Sequence, residues 1–229
     1  MKIGILIVGH PPQELSHNGR YDAYFIRLLD DADFTYQAWS VLDGEMPADV
    51  HDAQGWLITG SRHGAYEPHP WIPPLEQFIR DCYAAHVPMI GVCFGHQIIA
   101  QAMGGKVEKF AGGWSVGRVA YDIDGHSYAI NAWHQDQVVE KPDMAQVIGA
   151  SDFCANAALL YDDRIWSIQP HPEYESDFIE GLITHRGKGL VPDAQLAAAA
   201  GAPVQTRRAR HRNLRDHLFQ HPRGGSADR

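Results

Sequence analysis

The stretch Met89 to Gln101, MIGVCFGHQIIAQ, constrains the fold more than any other part of the chain. An apolar run from Val87 to Val92 ends on Gly91-Val92-Cys93. Gly95 then opens a segment, Gln97 to Met103, whose Ile98, Ile99 and Ala102 recur at helical spacing. A strand, a tight turn and a helix in that order place Cys93 at the bend. Glycines two residues before and after it permit the close, strained backbone passage of a nucleophile elbow, whose turn residue projects from the end of a sheet. The first turn of the following helix would supply N–H groups and a positive dipole end, which favour a thiolate over a thiol. Cys93 is therefore a candidate nucleophile.

The rest of the N-terminal half alternates between strand and helix. Ile3 to Val8 reads as a first strand, followed by a polar loop and then a helical face of Tyr24, Phe25, Leu28 and Leu29. Phe34 to Val41 and Trp56 to Thr59 read as further strands, the latter ending in the loop Gly60-Ser61-Arg62-His63-Gly64. Trp71 to Ala85 is a proline-led helix with Leu75, Phe78, Ile79 and Cys82 on its inner face. Such alternation is the mark of a mostly parallel sheet with helices on both faces. After Gly104-Gly105 the texture changes to short, turn-separated runs: Lys106–Phe110, Ser115–Ile123, Tyr128–Trp133 and Gln146–Ala150. These predict an antiparallel extension. Cys154 to Tyr161 and Arg164 to Ile168 form a hairpin about Asp162-Asp163, and a helix with Phe178, Leu182 and Ile183 inward follows Tyr174. The expectation is one α/β domain over 1–185 and a basic helical tail over 186–229, including a helix-like run from Arg207 to Gln220.

Charge and cysteine usage narrow the function classes. The net charge is −9, but residues 183–229 carry 9 Lys/Arg against 3 Asp/Glu, leaving 10 against 25 in the body. An acidic body lacks the basic surface that phosphate contacts need, so a nucleic-acid partner is not expected. No run is long enough for a membrane span, and no cleavable leader pattern opens the chain. Three cysteines without CxxC spacing suggest a reducing compartment, the cytoplasm by default. Cys82 and Cys154 read as packed thiols. His10, His17, His63, His69 and His96 show no HExxH or comparable spacing, so neither metal nor cofactor is expected.

A cysteine nucleophile needs a base, and the base an acid to orient it. Among 14 histidines, His171 stands out because it ends a strand two residues before Glu173. Residues at i and i+2 of an extended chain share a face, and Pro172 keeps His171 extended, so the carboxylate can lie beside the imidazole. The order nucleophile, histidine, acid differs from the serine, acid, histidine order of α/β-hydrolases.

Together, Gly91-Val92-Cys93-Phe94-Gly95-His96-Gln97 and Gln169-Pro170-His171-Pro172-Glu173 resemble the paired signatures of class I glutamine amidotransferases. Leu57-Ile58-Thr59-Gly60-Ser61 is similar to that family's oxyanion loop, and Trp133-His134-Gln135-Asp136-Gln137-Val138 to its HxDxV segment. Within the family the chain resembles stand-alone members, both GMP-synthase-like amidotransferases and plant γ-glutamyl peptidases. The resemblance implies a flavodoxin-like fold and a cysteine hydrolase. Cys93, His171 and Glu173 would be its catalytic residues, and Gly60 and Phe94 its backbone oxyanion donors. Gln97, Trp133, His134 and Asp136 would shape the substrate site. The implied reaction is cleavage of the γ-amide of glutamine through a γ-glutamyl thioester, with a separate ammonia-accepting synthase as partner. Two alternatives are an autonomous peptidase acting on γ-glutamyl peptides or glutathione conjugates, and a low-turnover γ-glutamyl binding module. In departure from the family, Pro170 stands where an aromatic or small residue is frequent, and the glycine and proline that often follow the oxyanion-loop glycine are absent.

Overall fold

In a computed structural model that describes residues 1–29 and 33–200, hydrophobic strands stack into a nine-stranded sheet ordered β2-β1-β3-β4-β11-β10-β9-β6-β7. The first five strands in that order are β2 (Thr35–Ser40), β1 (Lys2–Ile7), β3 (Gly55–Ile58), β4 (Met89–Val92) and β11 (Ile165–Ile168), and they pair with one another in parallel. The other half is antiparallel: β10 (Ala158–Tyr161), β9 (Ala145–Ala150), β6 (Ser115–Ile123) and β7 (His126–His134). A doubly covered parallel sheet buries both strand faces, which explains why these strands read as unbroken apolar runs. Ile3, Ile5 and Ile7 join one core with Phe25 and Leu29 of α1 (Tyr21–Leu29). Leu6 joins the other core, with Leu75, Phe78 and Ile79 of α2 (Ile72–Ala84) and with Ile98 and Ile99 of α3 (Phe94–Ala102). This is the α/β architecture that the alternation predicts.

Three local outcomes differ from the sequence reading. The helix after the cysteine starts at once, at Phe94 rather than beyond Gly95, so Cys93 itself is the N-cap. Asp136–Glu140 is a strand, β8, which the sequence pattern does not announce. It pairs antiparallel with β5 (Lys106–Lys109) in a separate two-stranded sheet. Its alternation is short, and its partner lies far back in the chain. His96, which precedes the helical segment read from Gln97 to Met103, is fully buried on α3.

The β10–β11 hairpin turns as expected at Asp162, which has φ 52°. α4 (Ser176–Arg186) buries Phe178, Ile179 and Leu182, and α5 (Asp193–Ala200) lies against β6, with Gln195 Nε2 donating to the Trp114 carbonyl at 3.3 Å. The expected helix-like run 207–220 lies outside the described residues. Among the described residues, no helix is long and apolar enough to cross a membrane.

Two glycines of the elbow are required by space. A β-carbon on Gly91 would lie 2.5 Å from the Gly95 carbonyl oxygen, and one on Gly95 would lie 2.3 Å from the Ile58 carbonyl oxygen. Both obstacles are backbone, so neither can swing away. We expect Gly95→Ala to cost about 3 kcal/mol through forced displacement of β3 from α3. Gly104 gives the contrast: it has φ +95° but open space around its α-carbon, so Gly104→Ala should cost only about 1 kcal/mol of left-handed strain. Urea unfolding of both variants checks the order, and equal losses would contradict the packing argument.

Candidate active site

The parallel register brings three loops to one edge. Ile58 pairs with Gly91 and Ile168 with Val92, so the carboxyl ends of β3, β4 and β11 lie side by side. The residues just beyond them are Gly60, Cys93 and His171. This is the edge at which open α/β sheets collect their ligands.

Cys93 is buried and holds φ 54°, ψ −105°, a conformation that non-glycine residues seldom adopt. Its backbone is secured from both sides: its N–H donates to the Ile168 carbonyl at 2.9 Å, and its carbonyl accepts from Gln97 N–H at 3.0 Å. Gly95 N–H donates to the Thr59 carbonyl at 3.2 Å, which fastens the elbow to the end of β3. A β-carbon on Gly60 would lie 3.0 Å from His171 Cε1 and 3.7 Å from Cys93 Cβ, so the Gly60 backbone sits against both side chains. Phe94, the first helical residue, follows Cys93 directly, and its ring is fully buried.

His171 is held from several directions. Its N–H donates to the Asn131 carbonyl at 2.7 Å, its Nδ1 lies 2.7 Å from Glu173 Oε1, and its ring stacks on Tyr174 at 3.9 Å and 5°. With Nδ1 engaged by Glu173, the rest of the ring lies near Cys93, since both side chains adjoin the Gly60 backbone. Burial works against the charged imidazolium, yet the neighbouring Glu173 carboxylate, together with Cys93, raises its pKa to about 10. The Glu173 carboxylate beside Nδ1 therefore favours the charged imidazole. Glu173, like His171, is buried.

The residues expected to shape the substrate site divide into two groups. Gln97 is buried, and its Nε2 donates to the Asp136 carbonyl at 2.9 Å and to Gln169 Oε1 at 3.1 Å, joining α3 to β8 and to the strand end that carries His171. The Asp136 side chain is hydrogen-bonded with Tyr66, and burial raises its pKa. His134 points inward, with Nδ1 3.3 Å from the Asp136 carbonyl oxygen, and burial together with the His171 charge lowers its pKa to about 3. Trp133 packs 5.9 Å from Trp114 and against the aromatic cluster beneath Tyr174. Gln97 and Asp136 thus border the elbow, and His134 and Trp133 lie on the neighbouring strand β7.

Sequence reasoning missed Tyr174 and Asn131, which support His171, and gave no separate role to Gln169, which accepts from Gln97. Of the first two, only Tyr174 leaves a signal, as an aromatic residue directly after the His-Pro-Glu run. A further gathering is also unforeseen. His63 and His69, which sequence spacing leaves unrelated, meet at Glu67, with Glu67 Oε2 3.3 Å from His63 Nδ1 and 2.7 Å from His69 Nε2.

The raised His171 value has a pH consequence. Because it lies above the ordinary 6.5, the protonated ring contributes stability in full below about pH 6.5, and that contribution is lost as pH rises through about 10. In Glu173→Gln, burial is opposed by fewer charges, so the His171 titration midpoint should fall by about 1–3 pH units. NMR of the imidazole protons reads this directly. An unchanged midpoint would remove Glu173 as the cause.

Comparison with known proteins follows the same lines. Residues 48–180 match the family model described as glutamine amidotransferase class-I. The chain is 31% identical over 179 residues to γ-glutamyl peptidase 2 of Arabidopsis thaliana, covering 72% of each protein. It is 34% identical over 140 residues to a glutamine-hydrolyzing GMP synthase subunit of Methanopyrus kandleri, covering 56% of this chain and 71% of the relative. The structure of a glutamine amidotransferase from Methylobacillus flagellatus superposes with a TM-score of 0.70 at 24% identity, covering 96% of this chain and 88% of that one. The fold, the spread of similarity and the family match agree: the chain belongs to the class-I glutamine amidotransferase family.

Proposed function

We propose that the protein hydrolyses the γ-amide of glutamine, or a γ-glutamyl amide of the same shape, through a thioester on Cys93. The observation that carries this reading is the gathering of Cys93, His171 and Glu173 at one sheet edge, where an elbow cysteine and a buried imidazole adjoin the Gly60 backbone and a carboxylate holds that imidazole at 2.7 Å. Cys93 Sγ attacks the γ-carbonyl carbon and the carbonyl oxygen becomes an oxyanion. Backbone N–H groups of Gly60 and Phe94 receive that oxyanion, a form of stabilisation able to supply a large share of the rate. When the carbon–nitrogen bond breaks, His171 gives its proton to the leaving nitrogen. A water molecule, losing its proton to His171, then attacks the thioester, frees glutamate and restores the Cys93 thiol. Gln97 and Asp136 border the side on which the glutamyl chain would lie, with Trp133 and His134 on the neighbouring strand β7.

Two leaving groups suit this chemistry. With glutamine the product is ammonia, which a separate synthase would consume, and the likeness to a GMP synthase subunit supports that route. With a γ-glutamyl peptide the product is an amine, and no second enzyme is needed. The likeness to a plant γ-glutamyl peptidase, covering 72% of both chains, favours this second reading.

The decisive assay offers the purified protein glutamine, a γ-glutamyl dipeptide and glutathione, with glutamate release as the readout. Cys93→Ala should lose at least about 10³-fold in turnover, and Glu173→Gln about 10²–10⁴-fold in kcat. Release of glutamate from peptides but not from glutamine would sink the ammonia-donor route and leave the peptidase. Full activity in Cys93→Ala would sink both.

A further inference from the structure

We propose that His63, Glu67 and His69 form a binding site for one divalent transition-metal ion of zinc-like chemistry. Among the described residues, this trio is a group in which one donor atom from each residue lies within 4.8 Å of the others. The separations from Glu67 Oε2 are 3.3 Å to His63 Nδ1 and 2.7 Å to His69 Nε2. Ligands on a tetrahedral zinc, with bonds of about 2.0–2.1 Å, stand roughly 3.3 Å apart, so small side-chain rotations suffice to admit an ion. Two imidazoles and one carboxylate are a borderline-soft donor set that selects zinc-like ions over calcium or magnesium. The imidazole rings meet edge to face, 4.3 Å apart at 71°, so their nitrogens can converge on one point.

The loop holds this arrangement before any ion arrives. His63 N–H donates to Ser61 Oγ at 3.2 Å, Glu67 N–H to the Gly64 carbonyl at 3.0 Å, and His69 N–H to the Glu67 carbonyl at 2.8 Å. Pro68 and Pro70 flank His69 and restrict its backbone, and the His69 ring stacks on Trp71 at 5.6 Å and 10°. A preorganised trio loses little entropy on binding. Side-chain exposures of 18% for His63, 31% for His69 and 39% for Glu67 leave an open side, where water or a fourth ligand can complete the coordination. Trp71 in turn packs 5.5 Å from Phe94, so a bound ion would brace the loop running from Gly60 to α2. The proposal stands apart from the thioester reading, because none of its ligands belongs to the Cys93–His171–Glu173 series.

The rival account is a carboxylate that merely accepts hydrogen bonds from two imidazoles. The test is titration of the chelator-stripped full chain with Zn²⁺ in competition with a chromophoric chelator. One-to-one uptake is expected, unchanged in Cys93→Ala and weakened at least about tenfold in both His69→Ala and Glu67→Gln. Glu67→Gln is nearly isosteric and keeps an acceptor, so its fold should survive; the thermal melt of the metal-free variant checks this. With Co²⁺ in place of Zn²⁺, visible ligand-field bands without a sulfur-to-cobalt charge-transfer band are expected. Absence of one-to-one uptake, wild-type affinity in both loop variants, or loss of binding in Cys93→Ala would overturn the proposal.

Discussion

The backbone conformation of Cys93 is the constraint on which the rest depends. A cysteine held at φ 54° costs roughly 1–3 kcal/mol and persists only where its surroundings leave no alternative. Here they leave none: the Cys93 N–H is bonded to the last residue of β11, the Gly95 N–H to the residue after β3, and both elbow glycines lie against backbone. The same bonds fix where the neighbouring chains end. His171 leaves β11 three residues beyond the carbonyl that holds Cys93, and Gly60 leaves β3 one residue beyond the carbonyl that holds Gly95. Strain at one residue thus specifies the relative positions of three loops.

Support for His171 comes from outside the parallel half of the sheet. Asn131 lies on β7 at the far antiparallel edge, and besides receiving the His171 N–H through its carbonyl it donates from Nδ2 to the Tyr174 carbonyl at 3.0 Å. Tyr174 stacks on the imidazole and rests on Phe178 of α4, with ring centroids 4.5 Å apart, and Phe178 meets Tyr24 of α1 at 4.9 Å. The histidine is therefore clamped by the antiparallel extension and by two helices, while the cysteine is clamped by the parallel core. The extension that breaks the regular alternation holds one half of the site.

The parts of this arrangement that are legible in the sequence have local causes. Strand runs and the glycines around Cys93 follow from backbone geometry over a few residues. The pairing of His171 with Glu173 is legible too, but the 2.7 Å contact forms within a turn closed by Tyr174 N–H on the His171 carbonyl at 3.4 Å, not along the extended chain that the spacing predicts. What escapes a reading of the sequence is non-local. β8 has five residues and takes its partner from β5, about thirty positions earlier. The Tyr174 stack depends on helices at opposite ends of the chain. The meeting of His63 with His69 depends on a proline-bent loop, whose path has no periodicity to read. His134, read from its motif, lies at the end of β7 and is buried like Cys93 and His171.

Burial alone cannot make a base, and three histidines of this molecule demonstrate it. His96, His134 and His171 are all buried beneath the same edge of the sheet. His96 has Ser167 Oγ at 2.8 Å from its Nδ1, and burial lowers its pKa to about 3. His134 meets a carbonyl and the repulsion of His171, and it too falls to about 3. His171, equally enclosed, moves the other way because the Glu173 carboxylate lies against its Nδ1, with Cys93 also nearby. The charge it then carries helps to keep His134 neutral, since two imidazolium ions would repel within the same low-dielectric space. A proton near Cys93 therefore has one imidazole to occupy, chosen by the carboxylate beside it and not by the abundance of histidine around it.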